Sequence, residues 1–175
     1  MPFGAGRKVF SAGIPAAILG GWQVSGEFQL QSGFPYTINY KGDLINIGGG
    51  SGGILVRPNY VLDASGANVD PNLPGDRRST GRWFNTAAFV QPINSFGNVG
   101  RNTMAGAGLV NLDATIVRGF HLAENVRLQL RCEFFNMANH PNFALIGRIV
   151  NDPTFGIVQN QLSPRQIQFA AKLGF

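Results

Sequence analysis

The final stretch of the chain, RQIQFAAKLGF, restricts the possible fold more than any other. Its apolar side chains fall on alternate positions, at Ile167, Phe169, Ala171, Leu173 and Phe175. Alternation with a period of two is typical of a β-strand that has one apolar face and one mainly polar face. A soluble protein rarely ends on such a strand, whereas a transmembrane barrel needs one to close against its first strand.

The same alternation recurs upstream and predicts strands over residues 22–40, 109–120 and 125–136, besides the last strand at 165–175. Residues 1–10 are predicted to contribute a further strand. The expected fold is therefore all-β, with four to five strands of a larger antiparallel up-and-down transmembrane β-barrel.

The connections between these strands alternate in length. Long connections at 42–108 and 136–164 alternate with short ones at 11–21 and 121–125. Bacterial outer-membrane barrels show this pattern, with long extracellular loops and short periplasmic turns. A soluble sandwich has no reason to sort its connections in this way.

The composition excludes several other classes of protein. The chain of 175 residues is 44% apolar and 13% charged, and it contains 24 Gly and 14 Phe, which argues against disorder and against an all-helical fold. The net charge is +5, but the basic residues are scattered, so no nucleic-acid partner is expected.

Cys132 is the single cysteine, which excludes an internal disulfide. Because no apolar run approaches a membrane helix in length, a membrane protein of this sequence would cross with strands.

The polar faces of the predicted strands would line the lumen of a barrel. The residues assigned to that lining are Gln23, Glu27, Gln29, Asp113, Arg127, Gln129, Arg131, Glu133 and Lys172. If the turn at 121–125 is tight, Asp113 is expected across from Arg131 or Glu133. A soluble or secreted β-sandwich that acts as a binding module could place the same side chains in solvent, and it stays an alternative.

No catalytic, cofactor or metal site is predicted. Neither of the two histidines has a second ligand at a useful spacing, the loop aspartates lack the spacing of an EF-hand, and GGGSGG lacks the context of a phosphate loop. The residues concerned are His121, His140, Asp63, Asp70 and Asp76. The prediction is that the protein is not an enzyme.

One aromatic group in the first long connection could touch a ligand. Trp83, Phe84, Asn85 and Phe89 are the candidates for a loop that folds over the barrel mouth. The alternative, which the sequence favours, is a hydrophobic anchor that orders the loop.

Five stretches together carry a resemblance to a known family: LGGWQVSGEFQLQSGFPYT, RWFNTAAFVQP, FGNVGRNTMAGAGLVNLDATIVRGF, VRLQLRCEFFNMANHPNF and PRQIQFAAKLGF. In this order, the chain resembles the C-terminal end of a TonB-dependent outer-membrane receptor of the Oar-like kind, which carries a carboxypeptidase-regulatory-like domain. Full proteins of this kind have a periplasmic plug, a TonB-box peptide and about 22 strands. The resemblance implies uptake of a large substrate across the outer membrane.

The same resemblance implies the partners of the segment. The last strand would carry the signal for the barrel-assembly machinery, on Phe169, Ala171, Leu173 and Phe175. The other expected partners are outer-membrane lipid and, only through the missing N-terminal part, the TonB complex. The segment is expected to be a fragment without a plug domain that is not functional alone. A second alternative is an outer-membrane surface or assembly protein that does not transport.

Overall fold

The computed structural model describes residues 20–42 and 54–175 of the chain. The strand predicted within residues 1–10 and the GGGSGG segment lie outside these ranges. The described residues are organised in β-strands and two short 3-10 turns, Gly75–Arg77 and Thr86–Ala88. The strands are β1 (Trp22–Gln31), β2 (Pro35–Tyr36), β3 (Tyr40–Lys41), β4 (Leu55–Val56), β5 (Asn59–Tyr60), β6 (Phe89–Val90), β7 (Met104–Ala105), β8 (Leu109–Ala123), β9 (Val126–Phe135), β10 (Phe143–Ile146), β11 (Val158–Gln161) and β12 (Gln166–Gly174).

The chain divides into two compact units. Unit 1 contains residues 1–30, 110–140 and 163–175, and unit 2 contains residues 31–109 and 141–162. The long strands belong to unit 1, while the two long connections form unit 2. The fold class predicted from alternation is confirmed, because the structure is all-β with antiparallel pairing.

Unit 1 is a four-stranded sheet in the order β1, β8, β9, β12. Strands β8 and β9 are antiparallel and are joined at Glu124 and Asn125, two residues that lie between Ala123 and Val126. One irregularity in the pairing falls between His121 and Ala123. Strand β12 pairs with β9 without interruption, from Gln166 opposite Phe135 to Gly174 opposite Arg127. The sheet is open at β1 and at β12 within the described residues.

Several predicted boundaries need correction. The strand predicted over 22–40 ends at Gln31. Two residues later the backbone at Gly33 packs so closely on Gly106 that a Cβ at position 33 would collide with it. The turn predicted over 121–125 contains two residues only, since β8 continues through Ala123. A close backbone approach and a tighter turn both depend on tertiary contacts that alternation does not report.

Unit 2 includes the segment predicted as a long, loop-like connection over residues 42–108. Where the structure describes it, this connection contains short strands: β5 pairs with β6 inside it, while β4 and β7 pair with β3 and β2, which precede residue 42. The second connection adds the pair β10 and β11. Unit 2 also has its own core of buried side chains, Ile38, Phe84, Ala88, Phe89, Val99, Met104 and Ile146. The aromatic rings of Phe84, Phe89 and Phe155 contact one another within this core.

Phe84 contacts several other aromatic rings of unit 2. Its ring lies 5.1 Å from that of Phe155 and 5.9 Å from that of Phe89, both in edge-on geometry. Edge-to-face contacts at such distances are favourable beyond the burial of apolar area. The Phe84 side chain is 1% exposed, so it contributes about 1.5–3 kcal/mol through burial alone.

Candidate functional site

The two faces of the unit 1 sheet differ sharply in chemistry. Antiparallel partners point to the same side of a sheet, so the register assigns each residue of β8, β9 and β12 to a face. One face carries the rows Thr115, Glu133, Gln168 and Gly119, Gln129, Lys172. The other face carries rows such as Ile116, Cys132, Phe169 and Phe120, Leu128, Leu173. We call these the polar face and the apolar face.

The polar face brings together the predicted lumen residues of β9 and β12. Alternate positions of β9 carry Arg127, Gln129, Arg131 and Glu133, whose side chains point to the same face. Lys172 of β12 lies across from Gln129. The Arg131 guanidinium lies 3.6 Å from the Glu133 carboxylate, so opposite charges are neighbours on this face. Gln23, Glu27 and Gln29 share one parity of β1, which is hydrogen-bonded to β8 on the other side. Whether this face lines a lumen stays a prediction.

The position of Asp113 differs from the expectation. Glu133 lies across from Thr115 and Arg131 across from Val117, so Asp113 faces neither of them. A five-residue turn would have placed Asp113 opposite Glu133, whereas the two-residue turn and the irregularity between His121 and Ala123 together shift the register by two positions. A shift of two preserves the faces, since side chains alternate with a period of two. Asp113 therefore remains on the polar side of β8.

Asp113 takes part in a clamp at the end of the sheet opposite the tight turn. Its Oδ1 accepts hydrogen bonds from the backbone N–H of Asn136, at 2.8 Å, and from Nδ2 of Asn111, at 2.9 Å. The N–H of Met137 donates to the carbonyl of Leu112 at 2.7 Å. These bonds hold the residues that follow β9 against β8.

Asn136 extends this clamp to the residues before β12. Its side chain is buried; Oδ1 accepts from the N–H of His140 at 3.0 Å, and Nδ2 donates to the carbonyl of Ser163 at 3.4 Å. Asn136 has a φ of 48°, in the left-handed region that asparagine tolerates. The N–H of Arg165 donates to Oδ1 of Asn139 at 3.2 Å. No local sequence pattern indicates this clamp, because its partners are separated by up to 27 residues.

The apolar face is open to its surroundings in unit 1. Large side chains on it are well exposed, with Phe169 at 78%, and Phe175, which follows β12, is 92% exposed. Phe169, Ala171 and Leu173 lie opposite Cys132, Leu130 and Leu128. A contiguous apolar surface of this kind marks contact with a membrane or with another protein. An assembly-signal role for Phe169, Ala171, Leu173 and Phe175 stays a prediction.

One charged residue interrupts the apolar face and was missed by the sequence reasoning. Arg118 lies across from Leu130, between Ile116 and Phe120 on its own strand. Its guanidinium carbon lies 4.3 Å from the centroid of the Phe120 ring and 5.2 Å from that of the Trp22 ring. The parity of β8 was the signal that could have found it, because Ile116, Arg118 and Phe120 fall on the same side.

The proposed loop-contact residues lie in the core region of unit 2. Phe84 and Phe89 are buried, while Trp83 is half-buried and packs edge-on against Phe143 at 5.8 Å. Asn85 donates from Nδ2 to the carbonyl of Asp70 at 3.0 Å. The geometry gives these residues a packing role, and contact with a ligand stays a prediction.

Burial raises the pKa of Tyr36 in unit 2 to about 12, and the nearby Arg78 charge opposes this shift.

Two aspartates stabilise turns of unit 2. Hydrogen bonds from Ser65, through its hydroxyl and its N–H, lower the pKa of Asp63. The Thr154 hydroxyl and N–H lower the pKa of Asp152 in the same way. Each aspartate therefore caps its own turn as an ionised acceptor.

The described residues contain no group of three or more His, Cys, Asp and Glu side chains that could hold a metal ion. The backbone N–H of His140 donates to Oδ1 of Asn136, and His121 pairs with Arg127 in the sheet.

No helix among the described residues is long and apolar enough to cross a membrane.

An antiparallel sheet with one polar face and one exposed apolar face defines the wall of a membrane β-barrel. The model of one family, the outer membrane beta barrel domain, matches residues 1–168. The chain belongs to this family, and the protein is located in the outer membrane. The searches of curated proteins and of solved structures found no match. The family assignment overrides the alternative of a soluble β-sandwich.

Proposed function

We propose that the chain supplies barrel wall and the closing strand of a TonB-dependent outer-membrane receptor of the Oar-like kind. In this proposal the complete protein takes up a large substrate, driven by energy that TonB relays to a plug domain encoded upstream. The role is transport rather than catalysis. The polar face lines the lumen, and the apolar face contacts outer-membrane lipid.

The observation that carries the proposal is the placement of the connections around the sheet. Strands β8 and β9 are joined by two residues at one end. At the opposite end, Ala114 pairs with Phe134 and Gln166 pairs with Phe135, so the long connection to β12 begins and ends there. The long connection that precedes β8 also joins the sheet at this end. Long loops on one side and tight turns on the other are the usual arrangement in outer-membrane barrels.

The charges of the polar face suit a water-filled lumen with a plug. Arg127, Arg131 and Glu133 lie on β9, and Lys172 lies across from Gln129 on β12, so both signs of charge are present. Water and opposite charges in a lumen stabilise such side chains, whereas lipid would not. The resemblance of the five sequence stretches to Oar-like receptors supports TonB dependence specifically.

The orientation is tested by cysteine labelling of the full-length protein in intact cells. In a Cys132→Ala background, Ser95→Cys is expected to react with a membrane-impermeant maleimide from outside. Asn125→Cys, in the tight turn, is expected to react only after the outer membrane is permeabilised. Labelling of Asn125→Cys in intact cells would overturn the proposed orientation.

TonB dependence needs a separate experiment. Cross-linking in living cells is expected to join the full-length protein to TonB through its N-terminal part. If TonB is not captured while the labelling pattern holds, the protein is an outer-membrane surface or assembly protein without TonB-driven transport.

A further inference from the structure

A cavity of about 410 Å³ lies within unit 2, and every residue that lines it falls in the ranges 31–109 and 141–162. Its volume is in the range of about 300–1,000 Å³ that is usual for small-molecule sites. The lining is mainly apolar and is formed chiefly by the large side chains Phe34, Tyr36, Leu109, Phe143, Leu145 and Leu162. A cavity of this size and lining is suited to a small organic molecule.

Backbone pairing holds the part of the wall that carries Phe34. The N–H of Gly106 donates to the carbonyl of Phe34 at 2.9 Å, and Pro35 pairs with Ala105. Gly33 and Gly106 are in direct backbone contact, which leaves no room for a side chain between them. This part of the wall is therefore fixed before any ligand arrives.

Strand β10 and Arg148, which follows it, form another part of the wall. Strand β10 pairs with β11, and the N–H of Gly147 donates to the carbonyl of Ile157 at 2.9 Å. The carbonyl of Arg148 accepts from the N–H of Asn39, also at 2.9 Å. The backbone is thus held at Arg148 and at the residue before it, so the guanidinium extends from a fixed position.

Apolar surface in this cavity remains accessible. Phe34 is 72% exposed, Leu145 is 52% exposed and Leu162 is 49% exposed, although all three line the cavity. A ligand with an apolar body would remove this surface from water, which is favourable in proportion to the area covered. Three of the lining residues are aromatic, Phe34, Tyr36 and Phe143, and aromatic rings attract one another in edge-to-face or offset geometry. An aromatic body therefore fits this lining well.

The charge at the cavity is positive. Arg148 is the one charged residue among the described residues that line it, and its guanidinium forms no ion pair with another described residue. The planar donors of a guanidinium match the two oxygens of a carboxylate. A single positive charge is balanced by one carboxylate, so the complementary molecule is a monocarboxylate.

We propose that this cavity of unit 2 binds a small aromatic carboxylate. The aromatic body lies against Phe34, Phe143 and Leu145, and the carboxylate accepts charge-assisted hydrogen bonds from the Arg148 guanidinium. This site goes beyond the proposed function, because uptake of a large substrate does not require a site for a small molecule. In the proposed orientation the long connections face the outside of the cell, so the carboxylate reaches unit 2 from the surroundings.

The role of the charge is tested by calorimetric titration of the purified full-length protein in a non-ionic detergent, with titration into detergent alone subtracted. The probes are para-biphenylcarboxylate and the neutral para-biphenylmethanol. The carboxylate is expected to bind about tenfold more tightly than the alcohol, which corresponds to one charge-assisted contact. Arg148→Gln is expected to remove this preference and to leave binding of the alcohol unchanged. Arg101→Gln, at an exposed arginine of unit 2 outside the cavity, is the matched control and should keep the preference.

The apolar part of the site is tested by filling it. Ala144 is exposed and lines the cavity, so Ala144→Trp is expected to weaken the binding of both probes at least tenfold. Ala64→Trp, at an exposed turn residue outside the cavity, adds the same ring elsewhere and should leave both affinities unchanged.

Several results would overturn the site. They are the absence of saturable binding of the carboxylate by the wild type at millimolar concentration, equal affinities for the two probes, and a preference that survives Arg148→Gln. A preference that Arg101→Gln removes to the same extent, or affinities that Ala144→Trp leaves unchanged, would contradict it as well.

A wild-type measurement keeps the test valid if a variant fails to fold. The photoreactive aromatic carboxylate para-benzoylbenzoate is expected to label β10 or residues 106–109 in the unaltered protein, and excess para-biphenylcarboxylate should suppress this labelling. Labelling confined to the apolar face of unit 1 would contradict the site. These measurements need neither TonB nor transport, so their failure would leave the proposed function standing, and its own labelling and cross-linking experiments test it separately.

Discussion

The carboxylate of Asp113 accepts a 2.8 Å hydrogen bond from the backbone N–H of Asn136, and this bond joins β8 to the residue that follows β9. The two residues are 23 positions apart. Asn136 in turn reaches Ser163, three residues before β12 begins. One pair of residues therefore links the ends of three strands of the sheet.

Loss of the Asp113 carboxylate should destabilise the barrel. Asp113→Ala removes the acceptor for two donors, the Asn136 N–H and the Asn111 amide, and is expected to lower the free energy of unfolding by about 1–3 kcal/mol. Asp113→Asn keeps one oxygen acceptor and should cost less. Thermal unfolding of the full-length protein in detergent measures both, with the exposed Asp76→Ala as control. Equal midpoints for Asp113→Ala and the control would show that the clamp is unimportant.

At Asn136, side-chain and backbone requirements can be separated. Its φ of 48° suits Gly, while its amide bonds to His140 and Ser163 need the Asn side chain. Asn136→Gly should lose only the hydrogen bonds, and Asn136→Ala should lose them and add backbone strain. The unfolding midpoint is expected to fall further for Ala than for Gly. The opposite order would argue against a strained backbone at this position.

The core of unit 2 should depend on Phe84 far more than on other phenylalanines. Phe84→Ala leaves a cavity among Phe89 and Phe155 and is expected to cost about 3–5 kcal/mol. Phe96→Ala, at a residue that is 74% exposed, should change stability little. Limited proteolysis of the full-length protein in detergent measures both, since an unfolded unit 2 is cleaved faster. Similar cleavage rates for the two variants would contradict the assigned core.

Tyr36 should make unit 2 sensitive to alkaline pH. Burial raises its pKa from 10.0 to about 12, so the folded state holds the phenol proton more tightly than the unfolded state does. This contribution is fully present below pH 10 and is lost as pH rises toward 12. Proteolysis between pH 9 and 12 should accelerate less in Tyr36→Phe than in the wild type. Because the hydroxyl has no hydrogen-bond partner among the described residues, Tyr36→Phe should cost little at pH 7.

The terminal aromatic should matter for assembly more than for stability. Phe175 is 92% exposed and lies beyond the last paired residue, Gly174, so it contributes little packing to unit 1. Phe175→Gln is expected to lower the amount of protein in the outer membrane and to leave the unfolding midpoint of the assembled fraction unchanged. Leu162→Gln, an exposed apolar residue of unit 2, is the control. Normal outer-membrane levels of Phe175→Gln would remove the assembly-signal role.

Alternation of side chains was sufficient to predict the sheet and its faces. The faces of β9 and β12 can be predicted from the sequence, because a barrel strand alternates apolar and polar side chains with a period of two. Even the wrong length for the turn at 121–125 left Asp113 on the same face as Arg131 and Glu133, since the irregularity between His121 and Ala123 made the register move by an even number of residues. The sequence alone thus determined the fold class and the two surfaces.

Only the tertiary structure decided how the long connections fold and which residues join the strand ends. The packing of Phe84 on Phe155 and the bonds of Asn136 to Ser163 connect positions far apart in the chain, and no local pattern reports such pairs. The same holds for Arg118, whose place between Trp22 and Phe120 depends on β1 lying beside β8. Local periodicity fixes the direction of a side chain, and long-range contact fixes its partner.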